Sequence, residues 1–224
     1  MPETISDSWD QIFANIKNGT YKTKYQVGDM KKLKLGTDGT VSMKIVAMDT
    51  DDLASGGKAP ITWISEQLLV TSHRMNPSNN NNTEGTGTIG GWEKSDMRSY
   101  LKETIKPLIP QNVRNSIKEV TKHSNIFDTS GAKVLNSVTT DDVWIPSDRE
   151  IFGGTNYETL GHVYSDVFTD ANSRKKFKAG ESSASFWWLR SANDLGYFRC
   201  VSNGGVGNTR SSSSTYGVAL GFCT

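Results

Sequence analysis

Short apolar runs at helix or strand spacing alternate along this chain with long polar intervals. Trp9, Ile12, Phe13 and Ile16 fall at i, i+3, i+4 and i+7, which predicts an amphipathic helix capped by Ser6 and ended by Asn18 and Gly19. Residues 21–52 read as strands and turns: a strand at 25–29, alternation at Leu33 and Leu35, and a hairpin turn at 37–40. Val41, Met43, Ile45 and Ala47 then share one side of a half-buried strand. Residues 61–70 form a second strand candidate. A second helix, capped by Ser95 or Asp96, turns Met97, Tyr100, Leu101 and Ile105 inward until Pro107 stops it. Pro110 opens a helical turn around Val113, and residues 117–121 alternate like a strand.

Two intervals, 76–91 and 124–137, lack periodicity and are expected to be exposed polar loops. Residues 142–146 read as a compact buried strand. Ser147 and Glu150 have the spacing of a capping box for a short helix ended by Gly153 and Gly154. One or two irregular helical turns follow within 160–178. Three adjacent aromatics, Phe186, Trp187 and Trp188, require cover on both faces and predict a central strand over 186–191. Asn203-Gly204 signals a type I′ hairpin between strands near 197–202 and 206–210. Residues 217–223 read as a final buried strand. The pattern gives an α+β fold of short mixed or antiparallel strands, two or more flanking helices and long loops. It is expected to be one domain over 1–224, with an N-terminal helix in 1–20 and a binding region in 186–224.

Composition excludes several classes. A net charge of +1 over 224 residues gives no clustered basic excess, so no nucleic-acid partner is expected. No apolar run reaches transmembrane length, so no membrane insertion is expected, and the N-terminus lacks the basic and apolar regions of a signal peptide. Cys200 and Cys223 are too few for a disulfide framework; they form one bridge or remain two buried thiols. His73, His123 and His162 are scattered without metal-ligand spacing, and the asparagine-rich interval at 79–82 has no carboxylate cluster. No metal, cofactor or catalytic residue is expected. The apolar face of the N-terminal helix leaves room for a homo-oligomeric contact.

The tail differs in chemistry from the rest. Residues 189–224 contain no Lys, Glu, Gln, Met or Trp, although these types make up roughly a fifth of the preceding chain and about eight would be expected. The types present match what an AAC or AAT codon yields when only its adenines change. Edge strands and tight turns also favour small polar residues. Tyr, Arg, Ser and Asn are the side chains of adaptable binding surfaces. The candidate surface is Asn193, Asp194, Leu195, Tyr197, Arg199, Ser202, Asn203, Val206, Asn208, Arg210, Ser212, Ser214 and Tyr216. Its expected supports are Trp187, Trp188, Leu189, Phe198, Val218 and Phe222.

Several blocks carry a resemblance. Gly90-Gly91-Trp92, Arg98 with Leu101, Val143 to Ser147, Glu150 to Gly153, the Phe186 to Ser191 block, and Gly217-Val218 with Gly221-Phe222 resemble an uncharacterised domain family of bacterial and phage proteins. The tail is similar to variable proteins of diversity-generating retroelements, which have a C-type lectin fold. That resemblance implies a C-type-lectin-like fold, a hypervariable C-terminal surface, and a cell-surface protein or glycan as partner. The implied location is a virion surface, or an extracellular or cell surface. A fixed-sequence adhesive or structural module of a phage tail or bacterial surface is the alternative. Ala219-Leu220 depart from the Gly-Val-Arg-Pro ending of the uncharacterised family, and no Glu-Pro-Asn or Gln-Pro-Asp calcium motif occurs. Formylglycine-generating enzymes share the lectin fold and use a cysteine pair, but the strand-like settings of Cys200 and Cys223 argue against that chemistry.

Overall fold

The computed structural model describes residues 3–224; Met1 and Pro2 lie outside the described residues. Helix α1 (Trp9–Lys17) is capped by Ser8, not Ser6. Ser8 has Gln11 three positions on, and the two close a capping box: Ser8 Oγ accepts the Gln11 N–H, and Gln11 Oε1 accepts the Ser8 N–H. The apolar stripe packs on its own core, with Ile12 buried and the Trp9 ring 5.2 Å from that of Trp63. A helical turn, α2 (Tyr21–Lys24), and a loop replace the strand expected at 25–29. The Tyr25 hydroxyl fixes this loop to the chain before and within α1, donating to Asp7 and accepting from Asn15, each at 2.7 Å.

Strands β1 (Met30–Lys34), β2 (Thr40–Met48) and β3 (Ile61–Ser65) follow. Val41, Met43, Ile45 and Ala47 are buried as the alternation requires, and an irregularity after Ile45 turns Val46 inward as well. The strand expected over 61–70 ends at Ser65, and Leu68 and Leu69 are buried beyond it. After the short β4 (His73–Arg74), helix α3 (Asp96–Tyr100) is capped by Ser95. It runs on into a π-helical turn (Leu101–Ile105) and a 3-10 turn (Lys106–Leu108) that contains Pro107. Pro110 precedes α4 (Gln111–Arg114).

The interval at 124–137 is not a loop. It belongs largely to an antiparallel hairpin of β5 (Val120–Phe127) and β6 (Lys133–Asp141). Lys122, Ser124 and Asn125 are buried inside β5, so polar residues occupy positions where alternation would need apolar ones. The Asp128 carboxylate accepts the Ser130 and Ala132 N–H groups and shapes the turn. The interval at 76–91 is likewise no free loop. Thr88 to Gly91 are buried, the Thr88 hydroxyl donates to the Asp194 carbonyl, and the Ser212 hydroxyl donates to the Ser78 carbonyl.

Residues 142–146 form no strand of a sheet; they bend at 142–143, and Trp144 and Gly221 exchange both backbone bonds at 3.0 and 2.8 Å. Helix α5 (Asp148–Phe152) has the expected capping box and left-handed Gly153. The remaining elements are α6 (Ala171–Arg174), β7 (Lys176–Phe177), β8 (Ala184–Ser185), β9 (Trp187–Asp194), β10 (Tyr197–Val201), β11 (Gly207–Ser211), β12 (Thr215–Tyr216) and β13 (Gly221–Cys223). The sheets are β1-β2-β3-β13 and β11-β10-β9, with the pairs β12-β4, β5-β6 and β7-β8; all are antiparallel. The fold is thus a mixed α/β arrangement of several small antiparallel sheets and few helices. Cys200 and Cys223 lie in different sheets as free, buried thiols. No described helix is long and apolar enough to cross a membrane.

A charged cluster ties these parts together. Lys122 Nζ donates to Asp51 at 2.6 Å, Glu150 at 3.0 Å and the Tyr164 hydroxyl at 3.1 Å, and lies 3.5 Å from the Trp144 ring centre. Arg190 grips Glu150 through both terminal nitrogens, at 2.6 and 2.9 Å, and donates to the Ile145 carbonyl. All five of these polar side chains are almost wholly buried. Burial would raise the Glu150 carboxyl, but Arg190 and Lys122 outweigh it and hold the group down to about 2.

Candidate binding surface

Strand β9 is not central in its sheet. It ends the order β11-β10-β9, yet Trp187 and Trp188 are fully buried. Other segments close its free edge: Trp188 N–H donates to the Gly217 carbonyl at 3.0 Å and Arg190 N–H to the Pro146 carbonyl at 2.9 Å. The indole N–H groups of Trp187 and Trp188 reach the carbonyls of Arg174 and His73. Every expected support, from Trp187 through Phe222, is fully buried.

The turn between β10 and β11 is not type I′, which needs positive φ at both central residues. Here Gly205 alone in the turn has positive φ, at +79°. A five-residue connection is closed by Ser202 N–H to the Val206 carbonyl and Gly205 N–H to the Ser202 carbonyl. A Cβ on Gly205 would stand 1.7 Å from the Ala171 carbonyl oxygen, so α6 packs against the turn only because a glycine is there.

The strand register divides the candidate residues between two faces. Tyr197 pairs with Ser211 and Arg199 with Thr209, on one face; Phe198 pairs with Arg210 and Cys200 with Asn208, on the other. The predicted set is therefore not one surface. Thr209 and Ser211 share the face of Tyr197 and Arg199, although nothing in the sequence separates them from their neighbours.

On the first face the groups around Arg199 are joined to one another. Arg199 Nε donates to Asp148 at 2.8 Å, and its guanidinium lies 4.8 Å from the Tyr157 ring centre. The Tyr157 hydroxyl donates to Asn193 at 2.8 Å, and the Asp148 N–H donates to Ser191 Oγ at 2.8 Å. Burial raises the Asp148 carboxyl despite the Arg199 charge. Beside it Glu158 is fully buried with no hydrogen bond of normal geometry to either carboxylate oxygen; the nearby Ser191 Oγ accepts the Asp148 N–H and keeps its own O–H free to face Glu158. Burial pushes the Glu158 carboxyl up to about 7, against the lowering effect of Ser191 and Arg190.

The second face opens on a groove of about 330 Å³. Phe186 and Tyr216 form its floor, with ring centres 5.5 Å apart, and Trp188 holds Tyr216 edge-on at 5.1 Å. Ser72, Lys178, Ser185, Asn203 and Thr215 surround them. Arg210 stacks on Phe186 at 4.7 Å, and one terminal nitrogen bonds Asn208 and the Thr209 carbonyl. Of the lining residues, Asn203 and Tyr216 were expected at a site, as were Arg210 and Asn208 beside it. Lys178 and Ser185 come from the β7–β8 hairpin and Ser72 from the chain just before β4, and no spacing rule connects the two.

The other candidates are distributed as follows. Asp194, Leu195, Asn203 and Val206 are exposed at the two turns, and Ser214 is half-buried. Ser202 and Ser212 do not belong to the surface. Ser202 is buried with its hydroxyl accepting the Val206 N–H, and Ser212 is buried where its hydroxyl binds the Ser78 carbonyl. Both serines are joints of the backbone.

His73 stacks on Tyr100 with ring centres 3.9 Å apart and pairs with Asp96, while His162 pairs with Asp52. Among the described residues no group of three His, Cys, Asp or Glu side chains could hold a metal ion.

Residues 65–223 match the family model described as a domain of unknown function, DUF6273. This span is most of the chain and takes in every block from Gly90 to Phe222, so the chain belongs to that family. No curated protein and no solved structure matches it.

Proposed function

We propose that this DUF6273 member is a non-enzymatic recognition domain with a C-type-lectin-like fold, whose C-terminal sheet displays an interchangeable binding surface. The observation that carries this is a division along a single stretch of chain. Trp187 to Ala192 are buried and anchored by bonds to separate segments, whereas the stretch from Asn193 to Tyr216, although Phe198, Cys200, Val201, Ser202 and Ser212 are buried, exposes Asp194, Leu195, Tyr197, Asn203, Val206 and Thr215 on or between paired strands. Such a platform holds side chains in place before a partner arrives and so lowers the entropy cost of binding. Substitution at its exposed positions leaves the buried supports untouched. The buried cluster of Lys122, Asp51, Glu150 and Arg190 is closed to solvent and supports the fold. The partner is a protein or glycan on a cell surface, met by a protein displayed on a virion or cell surface.

The composition of residues 189–224 supports diversification by adenine-directed rewriting of codons. Two experiments test the proposal. Genomic sequence should hold a near-copy of the terminal coding stretch, differing only at adenines, beside a reverse transcriptase gene; its absence removes diversification and leaves a fixed adhesive module. A glycan and protein array should give ligands that are lost when the exposed positions of residues 193–216 are changed to alanine. Equal array profiles for the two proteins would sink the recognition reading.

A further inference from the structure

We infer that the groove floored by Phe186 and Tyr216 binds a saccharide that carries a carboxylate. The inference rests on the recognition reading and assigns a ligand class to one face of the sheet.

The two half-buried rings touch each other at an interplanar angle of 35°, so they form a platform and not a slot. Aromatic faces carry partial negative charge and attract positively polarised edges. The ring C–H groups of a pyranose, polarised by the attached oxygens, fit such a platform. Around it stand the Asn203 amide and the hydroxyls of Ser72, Ser185 and Thr215. These offer donors and acceptors together, as a polyhydroxyl ligand requires. Among the described residues, none of these four side chains hydrogen-bonds within the chain, and neither does the Tyr216 hydroxyl. The groove is therefore lined by polar groups whose bonding capacity is open, which sets it apart from the Arg199 face.

Charge narrows the ligand further. Lys178 lines the groove with no acidic partner among the described residues, Arg210 stacks beside it, and no Asp or Glu is part of the lining. One free ammonium and one partly engaged guanidinium suit a monoanion. A phosphate dianion ordinarily draws several N–H donors or a free arginine fork. The volume is at the lower end for a small-ligand site, which fits one or two sugar rings.

The test is a titration of the whole protein with 3′-sialyllactose, trigalacturonate, lactose and adenosine monophosphate, followed by amide chemical shifts. At least one acidic saccharide should move the Asn203, Tyr216 and Gly217 amides and bind at least about tenfold tighter than lactose. Tyr216→Ala should abolish the effect. Lys178→Gln should remove the preference for acid over lactose, and Lys178→Arg should retain it. Lactose binding as tightly as both acidic sugars, the nucleotide taking the groove in their place, or no groove shift with either acid would overturn the assignment. If the arrays return a protein ligand that depends on residues 193–216 while no saccharide binds, this inference falls and the recognition reading stands.

Discussion

The two faces of the β9–β11 sheet come from one stretch of chain and use the same residue types, yet one is closed and the other open. Around Arg199, the charges and hydroxyls bond to Asp148, Tyr157 and Asn193. Around Tyr216, the amide, hydroxyls and ammonium have no partner among the described residues. A surface rich in Tyr, Arg, Ser and Asn is thus not by itself a binding surface. What matters is whether its groups are already satisfied, since replacing an existing internal bond by an external one yields little net free energy.

Both faces depend on the cluster beneath them, and breaking that cluster should have the largest effect. Arg190→Met would take both guanidinium bonds from the buried Glu150 carboxylate and leave it Lys122, the Tyr164 hydroxyl and the capping-box contacts. Loss of one partner from a buried ion pair costs about 3–5 kcal/mol. Chemical denaturation should show a loss of that size, with both faces disrupted together. A loss below about 1 kcal/mol would mean that the sheet does not rest on this cluster.

The closed face should respond to pH through Glu158, which Ser191, Arg190, Asp148 and Glu150 face. Its carboxyl titrates near 7 in the folded chain against an ordinary 4.5, so the folded state holds a proton that the unfolded state has released. The associated stability is fully present below about 4.5 and declines as pH rises toward and through 7. Its ceiling is on the order of 3 kcal/mol. Glu158→Gln should flatten this part of the stability profile between pH 4.5 and 8. An unchanged slope in that variant would assign the dependence to another group.

Much of the scaffold was legible because its signals are local. The capping box of Ser147 and Glu150, the one-sided burial in β2 and the burial of Trp187, Trp188 and Phe222 all follow from nearest-neighbour rules. The β5–β6 hairpin was not legible, because Lys122 is satisfied by Asp51 and Glu150, distant in sequence, and so replaces the apolar residue that alternation leads one to expect. The ordering of residues 76–91 was missed for the same reason: Thr88 and Ser78 find their partners more than a hundred residues away. At the site, residue types were legible and their division into faces was not. Register decides which side chains meet, and a bulged β9–β10 pairing hides that from the sequence.

A moderate effect is expected on the closed face alone. Arg199→Ala removes the partner of Asp148, which is nearly buried, and an unsatisfied buried acceptor costs about 1–3 kcal/mol. Arg199→Lys should recover only part of this, because an ammonium cannot reproduce the guanidinium stacking on Tyr157. The Asp148 carboxyl, already raised by burial, should rise further in the alanine variant, visible by carbon-13 titration. Full recovery by lysine would mean that charge alone, without stacking, holds this face.

The smallest effect on stability is expected in the open groove, and its smallness is informative. Lys178, Asn203 and Thr215 use their side-chain polar groups in no internal bond among the described residues, and Asn203 and Thr215 are exposed. Their removal leaves no buried group stranded, so Lys178→Ala, Asn203→Ala and Thr215→Ala should each stay within about 0.5 kcal/mol of the parent. The triple variant should be close to their sum, since no mutual bond couples them. Thermal denaturation at one pH suffices to measure this. A triple variant destabilised as much as Arg199→Ala would show that the groove side chains maintain the fold, and the two faces would then be equally closed. A triple variant with parental stability and no ligand separates recognition from folding on this face, which the Arg199 face cannot do.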